Sequence, residues 1–452
     1  MTVVELERRS STTPLAARER LLNEPVRLSR TGPADRLDRL DGRARDSWVD
    51  HVAALGDRPQ GGTWLIDALQ EANLTGHGGG HFPVARKWRS MIGTTALTVV
   101  ANGSESECLS AKDAILLRQR PHLVLDGLHC AIETLRAQRG VVWLHEADRY
   151  TRRVVEDAII ERRAGGSYEV PVDVVPGPNT YLAGESSAIV RALKGGPALP
   201  TFRARRAAPG HAGDSTAVVH NVETLARIGL VARECGIPEA GSRLECFAAG
   251  PATSLLTVLS ADARQLIEVP RTLSLREALS LTRWSGADAP SAVLLGGYGG
   301  LWARWHDVAG VQVNEPAMRL AGGTLGAGIV APLTASACGV AETARIAAYL
   351  AQSSARQCGP CRHGLPALAD SVEQLRVARA GRGELRRLSD DLETVRGRGA
   401  CHHPDGATRL VASALETFSE DFAQHAKGRP CAFAQSSFIP VPDARVTPRE
   451  SR

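Results

Sequence analysis

The chain has 452 residues, 43% of them hydrophobic and only 4% aromatic, with a formal net charge of +5 from 54 basic against 49 acidic side chains. That length suits about three domains, and the apolar share excludes a disordered or fibrous chain. The basic excess is too small to argue for nucleic acid. No apolar run reaches the roughly 18–20 residues a bilayer crossing needs, and the N-terminus lacks the apolar centre of a secretory signal. The composition therefore reads as a cytoplasmic protein without a membrane span. Only four lysines occur, Lys87, Lys112, Lys194 and Lys427; every other basic residue is arginine.

Residues 1–60 are rich in Arg and Asp with little periodicity and read as a flexible arm plus a short helix. From 61 to 239, apolar runs alternate with helical patterns. Thr95–Ala101, Gly140–Leu144 and Val170–Val175 read as buried strands, Leu123–Leu135 and Ser187–Leu193 as helices. Such alternation predicts an α/β domain with a mainly parallel sheet and a ligand site on the loops after the strands. Residues 240–335 carry short strand-like segments and Gly-rich turns, the texture of a small β-rich or α+β module. From 336 to 428 the pattern turns helical. Leu365, Leu368, Val372 and Leu375 form one apolar stripe, Leu385, Leu388, Leu392 and Val395 a second, and Val411, Leu415, Phe418 and Phe422 a third. Three such helices in succession predict a small bundle. Residues 429–452 are Pro-rich and read as an irregular tail.

Four stretches carry chemistry. Residues 75–88, TGHGGGHFPVARKW, contain four glycines in five positions, which lets the backbone approach a planar or phosphorylated ligand. The loop is neither a Walker A motif nor a clean G-x-G-x-x-G. Residues 101–113, ANGSESECLSAKD, follow an apolar strand and offer Asn, two Glu and a Lys where an α/β sheet presents ligand contacts. Residues 177–188, GPNTYLAGESSA, feed a helix, and residues 218–224 read VVHNVET.

In this order and spacing the four stretches resemble the NADH-oxidising flavoprotein subunit (the F subunit) of respiratory complex I and the related subunits of NAD-linked hydrogenases and formate dehydrogenases. The resemblance extends over about residues 60–425. It implies a Rossmann-like FMN-binding domain over 61–239, a β-grasp-like (soluble-ligand-binding) module over 240–335 and a C-terminal helical iron–sulfur domain over 336–428. It implies flavin contacts from Gly76, Gly78, Gly79, Lys87, Asn102 and Glu105, and from Tyr181, Gly184 and Glu185 of the third loop. Asn221 and Thr224 match phosphate-side contacts, Glu107 an acid lining the nicotinamide pocket, and Phe82 a ring stacking on the dinucleotide. Lys87, Glu105 and Glu107 are the implied catalytic set. NADH is the implied hydride donor. The implied acceptor is a partner redox subunit, a ferredoxin-like protein or a quinone-reducing complex, which makes peripheral membrane attachment through a partner compatible with the chain.

Several family positions differ. Ser104 replaces the acid of the second motif, Ser186 the second Glu of the third, His220 an Asn of the fourth and His81 the last Gly of the first. Ser90 and Arg206 stand where the family places further aromatic contacts to NADH. A degenerate flavin-binding or scaffold subunit that no longer oxidises NADH is therefore the competing expectation.

The run 354–364, SARQCGPCRHG, resembles the family's iron–sulfur motif. Cys358, Cys361 and the later Cys401 match three ligands, while Ala355 occupies the place of the first and cannot bind iron. Thiolates suit iron as soft, charge-sharing ligands. The expected group is a 4Fe-4S cluster with a non-Cys fourth ligand such as His363, His402, water or a partner group, or a 3Fe-4S cluster. A zinc ion on the three cysteines and a histidine, within an interaction protein that lacks flavin, and an empty site are the other readings. The Cys-x-x-Cys pair alone also fits a redox dithiol, though no thioredoxin-like unit surrounds it. The other cysteines, including Cys338, Cys431 and Cys246, read as packing or surface residues.

Overall fold

The computed structural model describes residues 21–22, 26–29, 45–166, 169–202, 216–235, 252–260, 263–282, 284, 289–379, 381–435 and 437–442. Arg206 and Cys246 lie outside them. Among the described residues, ten strands form two sheets. They are β1 (Val26–Ser29), β2 (Thr98–Asn102), β3 (Arg139–His145), β4 (Val172–Gly177), β5 (Ala217–Asn221), β6 (Thr253–Leu259), β7 (Ala263–Pro270), β8 (Ala292–Leu295), β9 (Leu301–Arg304) and β10 (Ile329–Leu333).

The first sheet has the order β4-β3-β2-β5, with every pair parallel. Val99, Val100 and Ala101 are fully buried, as a central parallel strand covered on both faces requires. The chain winds from β2 through β3 to β4 on one side, then returns to place β5 on the other flank of β2. That reversal leaves a crevice outside the carboxyl ends of β2 and β5, the position where open α/β sheets bind ligands. Helices Pro121–Leu135 and Val222–Cys235 pack together nearby. A Cβ at Gly127 would collide with the Leu225 carbonyl, so the close crossing needs that glycine.

The second sheet is mixed, in the order β1-β7-β6-β10-β8-β9. Within it β6 and β10 run parallel and the other pairs antiparallel. The helix Leu275–Ser280, started by a Ser274/Glu277 capping box, lies between β7 and β8 in sequence. Helices Gly339–Gln352, Leu365–Arg376, Arg382–Val395, His403–Thr417 and Ser419–His425 follow. The three stripes read from sequence meet in one core, where Leu368, Val372, Leu375, Leu388, Val395, Leu410 and Val411 are buried with Ile346 and Leu350. Trp302 of β9 joins this core edge-on to Phe418, with ring centroids 5.1 Å apart.

Strand and helix positions agree with the sequence expectation to within a few residues: β2 begins at Thr98 rather than Thr95, and β4 occupies Val172–Gly177 rather than Val170–Val175. The N-terminal reading needs correction. Its short helix is Trp48–Leu55, but Val26–Ser29 is a strand and not part of an arm, since it pairs antiparallel with Ala263–Leu266. The Glu268 carboxylate also accepts hydrogen bonds from the Leu21 and Leu22 amides. Four residues are too few for periodicity to reveal a strand whose partner lies so far along the chain.

Candidate functional site

The Gly-rich loop runs along the crevice between β2 and β5. An isolated bridge joins Thr75 to Pro83, and the Gly76 amide donates to the Phe82 carbonyl at 2.9 Å, closing the loop on itself. Gly79 has φ +92°, which favours glycine, and His81 takes φ +47° where the family has Gly. The loop is tied to the sheet by the His77 amide, which donates to Thr224 Oγ1 at 2.9 Å, and by the contact of Gly78 with Asn221. Gly78, Gly79 and Gly80 are exposed, and no atom lies within 4 Å of a Cβ built at Gly79 or Gly80. The loop therefore presents backbone to open space.

Pro83 ends the loop and starts the helix Val84–Arg89. Lys87 projects from it to the Val219 carbonyl near the end of β5. Next to it the buried Trp88 indole donates to His220 Nε2 at 2.7 Å. Burial, and then the Lys87 ammonium, hold His220 neutral and well below its ordinary pKa, which leaves Nε2 free to accept. His220 thus replaces the family's Asn by serving a tryptophan. Ser90 is exposed and donates to the Lys87 carbonyl at the helix end. Phe82 is half-buried beneath Arg86, whose guanidinium lies 5.6 Å from the ring centre.

Asn102 and Asn221 pair across the ends of β2 and β5. Asn102 Nδ2 donates to the Gly184 carbonyl at 2.8 Å and so holds the third loop against the second. A Cβ on Gly184 would lie 2.5 Å from the Ser104 carbonyl oxygen. Asn221 accepts from the buried Lys112 ammonium at 2.9 Å and donates to Asp113 Oδ2 at 2.6 Å. Lys112 also meets Asp113 at 2.6 Å and Glu223 at 3.2 Å, and Glu223 meets Arg227 at 2.8 Å. Burial alone would lower the Lys112 pKa, but the carboxylates of Asp113, Glu223 and Glu105 outweigh it and hold the ammonium charged. Burial would raise Glu223, yet His77, Lys112 and Arg227 bring it down to about 2. Sequence reasoning missed Glu223 and Asp113 as functional residues, although both lie inside the quoted motifs. A Lys-Asp at a helix start and an Asn-x-Glu at a strand end were the available signal.

Glu105 accepts from Ser110 Oγ and from the Asp113 amide at 3.3 Å, at the start of the helix Lys112–Gln119. Burial and then Asp113 push its carboxyl up to about 7. Glu107 takes another direction. Its Oε2 accepts from the Tyr298 amide at 2.9 Å and the Tyr181 hydroxyl at 3.2 Å, while Oε1 is buried without a partner. Burial pushes it up to about 7 against those hydrogen bonds. A Cβ at Gly297 would strike this carboxylate, so the GGYGG turn is shaped around it. Glu185 is the N-cap of the helix Ser186–Leu193 and accepts from the Ser187 and Ala188 amides.

Tyr181 also faces the helical region. Its ring packs edge-on against Tyr349 and His403, with centroids 5.9 and 5.5 Å away. His403 donates through Nε2 to the Leu350 carbonyl at 2.8 Å; because a carbonyl only accepts, this nitrogen carries the proton. Two residues earlier stands Cys401. Cys358 and Cys361 flank the start of a π-turn, Pro360–Gly364, and burial followed by Cys358 pushes the Cys361 thiol up to about 12, with Cys401 adding to it. Cys401 senses Cys358 in the same way, but the three sulfurs do not all lie within 4.8 Å of one another. Gln357 anchors their loop to the α/β region by donating to the Pro200 carbonyl and accepting from Arg191. His363 and His402 are exposed.

The site residues fit the groups the motifs imply. An open glycine backbone and a cation lie at the switch point, and Glu107 Oε1, His77 Nδ1 and Thr180 Oγ1 are buried without a hydrogen-bond partner. Three cysteines lie at or near a π-turn in the helical region. The arrangement is that of a parallel sheet with a glycine-rich loop at its switch point, followed by a helical region that carries a cysteine motif. Comparison with known proteins agrees. Residues 69–230 match the model of the Nuo51 FMN-binding domain, and residues 341–425 that of the NADH-ubiquinone oxidoreductase-F iron-sulfur binding region. The chain belongs to the family of complex I F subunits and their relatives.

Among curated relatives, the second NADH-quinone oxidoreductase F subunit of Rhizobium meliloti is 27% identical over 390 residues, covering 82% of this chain and 90% of that protein. The NADH-quinone oxidoreductase F subunit of Escherichia coli is 25% identical over 389 residues, covering 79% and 83%. An NAD+-reducing [NiFe]-hydrogenase in the H2-reduced state superposes with a TM-score of 0.69 at 23% identity, over 84% of this chain and 67% of the other, a likeness of fold.

Proposed function

We propose that this chain oxidises NADH at an FMN seated in the crevice between β2 and β5 and passes the electrons singly, through an iron–sulfur cluster, to a partner redox protein. The observation that carries this reading is the convergence of the 75–83 loop, Lys87 and the Asn102–Asn221 pair on the switch point of the parallel sheet, with Tyr181 joining that point to the helix that follows Cys401. When bound, FMN takes up a hydride from NADH and gives out its two electrons one at a time.

The protein residues divide the work. Gly76, Gly78 and Gly79 present backbone to the ring system, and Lys87 holds a positive charge where a reduced ring becomes anionic. Asn102 and Gly184 lock the second loop to the third. Asn221 and Thr224 are consumed by Lys112, Asp113 and the His77 amide, so their part is to hold the phosphate-side loops in place. Glu105 fixes the helix start beside that cluster. Glu107 holds or releases a proton at Oε1, Phe82 offers a ring to the dinucleotide, and Glu185 sets the direction of the helix Ser186–Leu193. Cys358, Cys361 and Cys401 would hold the cluster, a 4Fe-4S with a non-Cys fourth ligand or a 3Fe-4S, since Ala355 offers no thiolate.

Residues 61–239 act as the Rossmann-like FMN domain and 336–428 as the iron–sulfur domain, while 429–452 form the tail. Residues 240–335 form a β-grasp-like module, a reading supported by the order β7-β6-β10-β8-β9 around a parallel β6–β10 pair. The chain reaches a membrane, where it does so, through its partner.

One set of observations favours the degenerate reading. Ser90 is exposed in place of a stacking ring, and Ala355 removes a thiolate. Anaerobically purified protein decides between the two. A flavin spectrum that bleaches on adding NADH, with iron and sulfide lost in Cys361→Ser, supports the oxidoreductase. A bound flavin that NADH fails to bleach transfers the assignment to the scaffold reading, and colourless, flavin-free protein overturns both.

A further inference from the structure

Cys338, His425 and Cys431, the two thiols among them read from sequence as packing or surface residues, meet in the helical region away from Cys358, Cys361 and Cys401. Their ligand atoms, two Sγ and one imidazole nitrogen, all lie within 4.8 Å of one another. We propose that they form a second metal site, a Cys2His centre for a zinc ion, independent of the flavin and of the iron–sulfur cluster.

Three observations carry the assignment. First, His425 is fully buried and its Nδ1–H donates to the Leu375 carbonyl at 3.1 Å. That bond fixes Nε2 as the lone-pair nitrogen; Nε2 lies 3.6 Å from Cys338 Sγ and accepts from the Cys431 amide at 3.3 Å, a bond that an ion would displace. Metal-binding histidines are oriented in this way, by a carbonyl on the nitrogen that does not ligate. Second, Cys338 is the N-cap of the 14-residue helix Gly339–Gln352, with its sulfur accepting from the Ala341 amide at 3.4 Å. The helix N-terminus and the Arg376 guanidinium, which senses Cys338, supply positive charge beside this sulfur.

Third, the three residues come from separate pieces: the start of one helix, the end of the last helix Ser419–His425 and the segment after it. An ion there would clasp the 431–442 segment to the helices. The Phe438 and Ile439 amides already donate to the buried Glu342 carboxylate, at 2.5 and 3.0 Å, further along the same segment. Tetrahedral zinc takes soft and imidazole ligands in this ratio, and the half-buried position of Cys431 leaves a fourth place for water. The Cys358/Cys361/Cys401 set differs: among the described residues it is not one whose ligand atoms all fall within 4.8 Å of one another.

The test is elemental analysis of the full-length protein, purified anaerobically from zinc-sufficient cells. One zinc per chain is expected, abolished in Cys431→Ser and in His425→Gln while iron is unchanged, and retained in Cys361→Ser. Zinc-edge X-ray absorption of the unaltered protein should show two sulfur neighbours at about 2.3 Å and a nitrogen at about 2.0–2.1 Å. Zinc well below one per chain, zinc that survives both Cys431→Ser and His425→Gln, an absorption spectrum with no sulfur neighbour, or a Cys338–Cys431 disulfide found by mass in zinc-free protein would each overturn the proposal. The absorption measurement needs no variant, so a misfolded mutant leaves the outcome decidable.

Discussion

The helix Val222–Cys235 carries a buried charge cluster at each end, and the two behave differently. At its C-terminal end Arg233 donates to the carbonyls of Leu55 and Gly56 and to Asp126. Asp126, fully buried, is also held by His51 at 2.8 Å and Arg162 at 3.0 Å. Burial opposes the charge, but His51, Arg162 and Arg233 hold the carboxyl far below its ordinary range. At the N-terminal end, Lys112, Asp113, Asn221, Glu223 and Arg227 interlock beneath the Gly-rich loop. Just beyond, Glu105 and Glu107 are pushed up to about 7 instead. At one end the Asp126 carboxyl is held ionised by its partners. The other adjoins groups that change charge near neutral pH, which is what a site that moves protons and binds anions requires.

The largest expected break of this contrast is Asp126→Asn. It takes the carboxylate from the buried Arg233 and leaves Arg162 with Glu169 alone, and should cost about 3–5 kcal/mol of stability, seen by denaturant unfolding. Because the Asp126 pKa is depressed on folding, its contribution is complete above about pH 4 and fades as acid protonates it. Next comes Lys112→Met. Removing the ammonium leaves Asp113 and Glu223 short of a partner, so a loss of about 2–3 kcal/mol is expected together with loss of bound flavin. If stability falls and flavin content does not, the cluster holds the fold and not the site.

Lys87→Arg should weaken flavin binding or reduction by about tenfold, roughly 1.4 kcal/mol, because a planar guanidinium does not replace a compact ammonium. An unchanged flavin content and reduction rate would return Lys87 to the background of sparse lysines. Glu107→Gln sharpens the contrast by pH. Glu107 has a raised pKa, so stability should decline as pH climbs from about 4.5, where the unfolded carboxyl ionises, to about 7. The variant, which carries no ionisable group there, should flatten that decline. The smallest effect belongs to Trp88→Phe, which removes the indole bond to His220 and should cost about 1 kcal/mol in thermal unfolding.

Much of the site was legible because motifs report backbone needs. Four glycines announce a loop that must approach a ligand, and Asn102 and Asn221 are placed by the strands that end in them. The apolar stripes of the helices after Leu365 were equally plain, since a 3.6-residue period survives in one sequence. What escaped was non-local. Val26–Ser29 has no period of its own and is a strand only because β7 is there. Cys338, His425 and Cys431 are 87 and 6 residues apart in succession, and nothing in that spacing signals a shared centre. His220, a departure from the family's Asn, gains its reason only from the Trp88 indole that it accepts.

The pairing of Val26–Ser29 with β7 has a consequence for how the chain is made. On a ribosome the first strand emerges about 240 residues before its partner, since Val26 lies opposite Leu266. The parallel sheet, complete once β5 is synthesised, can close by itself in the meantime, while the early strand waits with its edge uncovered. Contacts this distant in sequence form slowly, and an uncovered strand is a point where nascent chains stick to one another. The second sheet, not the flavin crevice, should therefore set the pace of maturation.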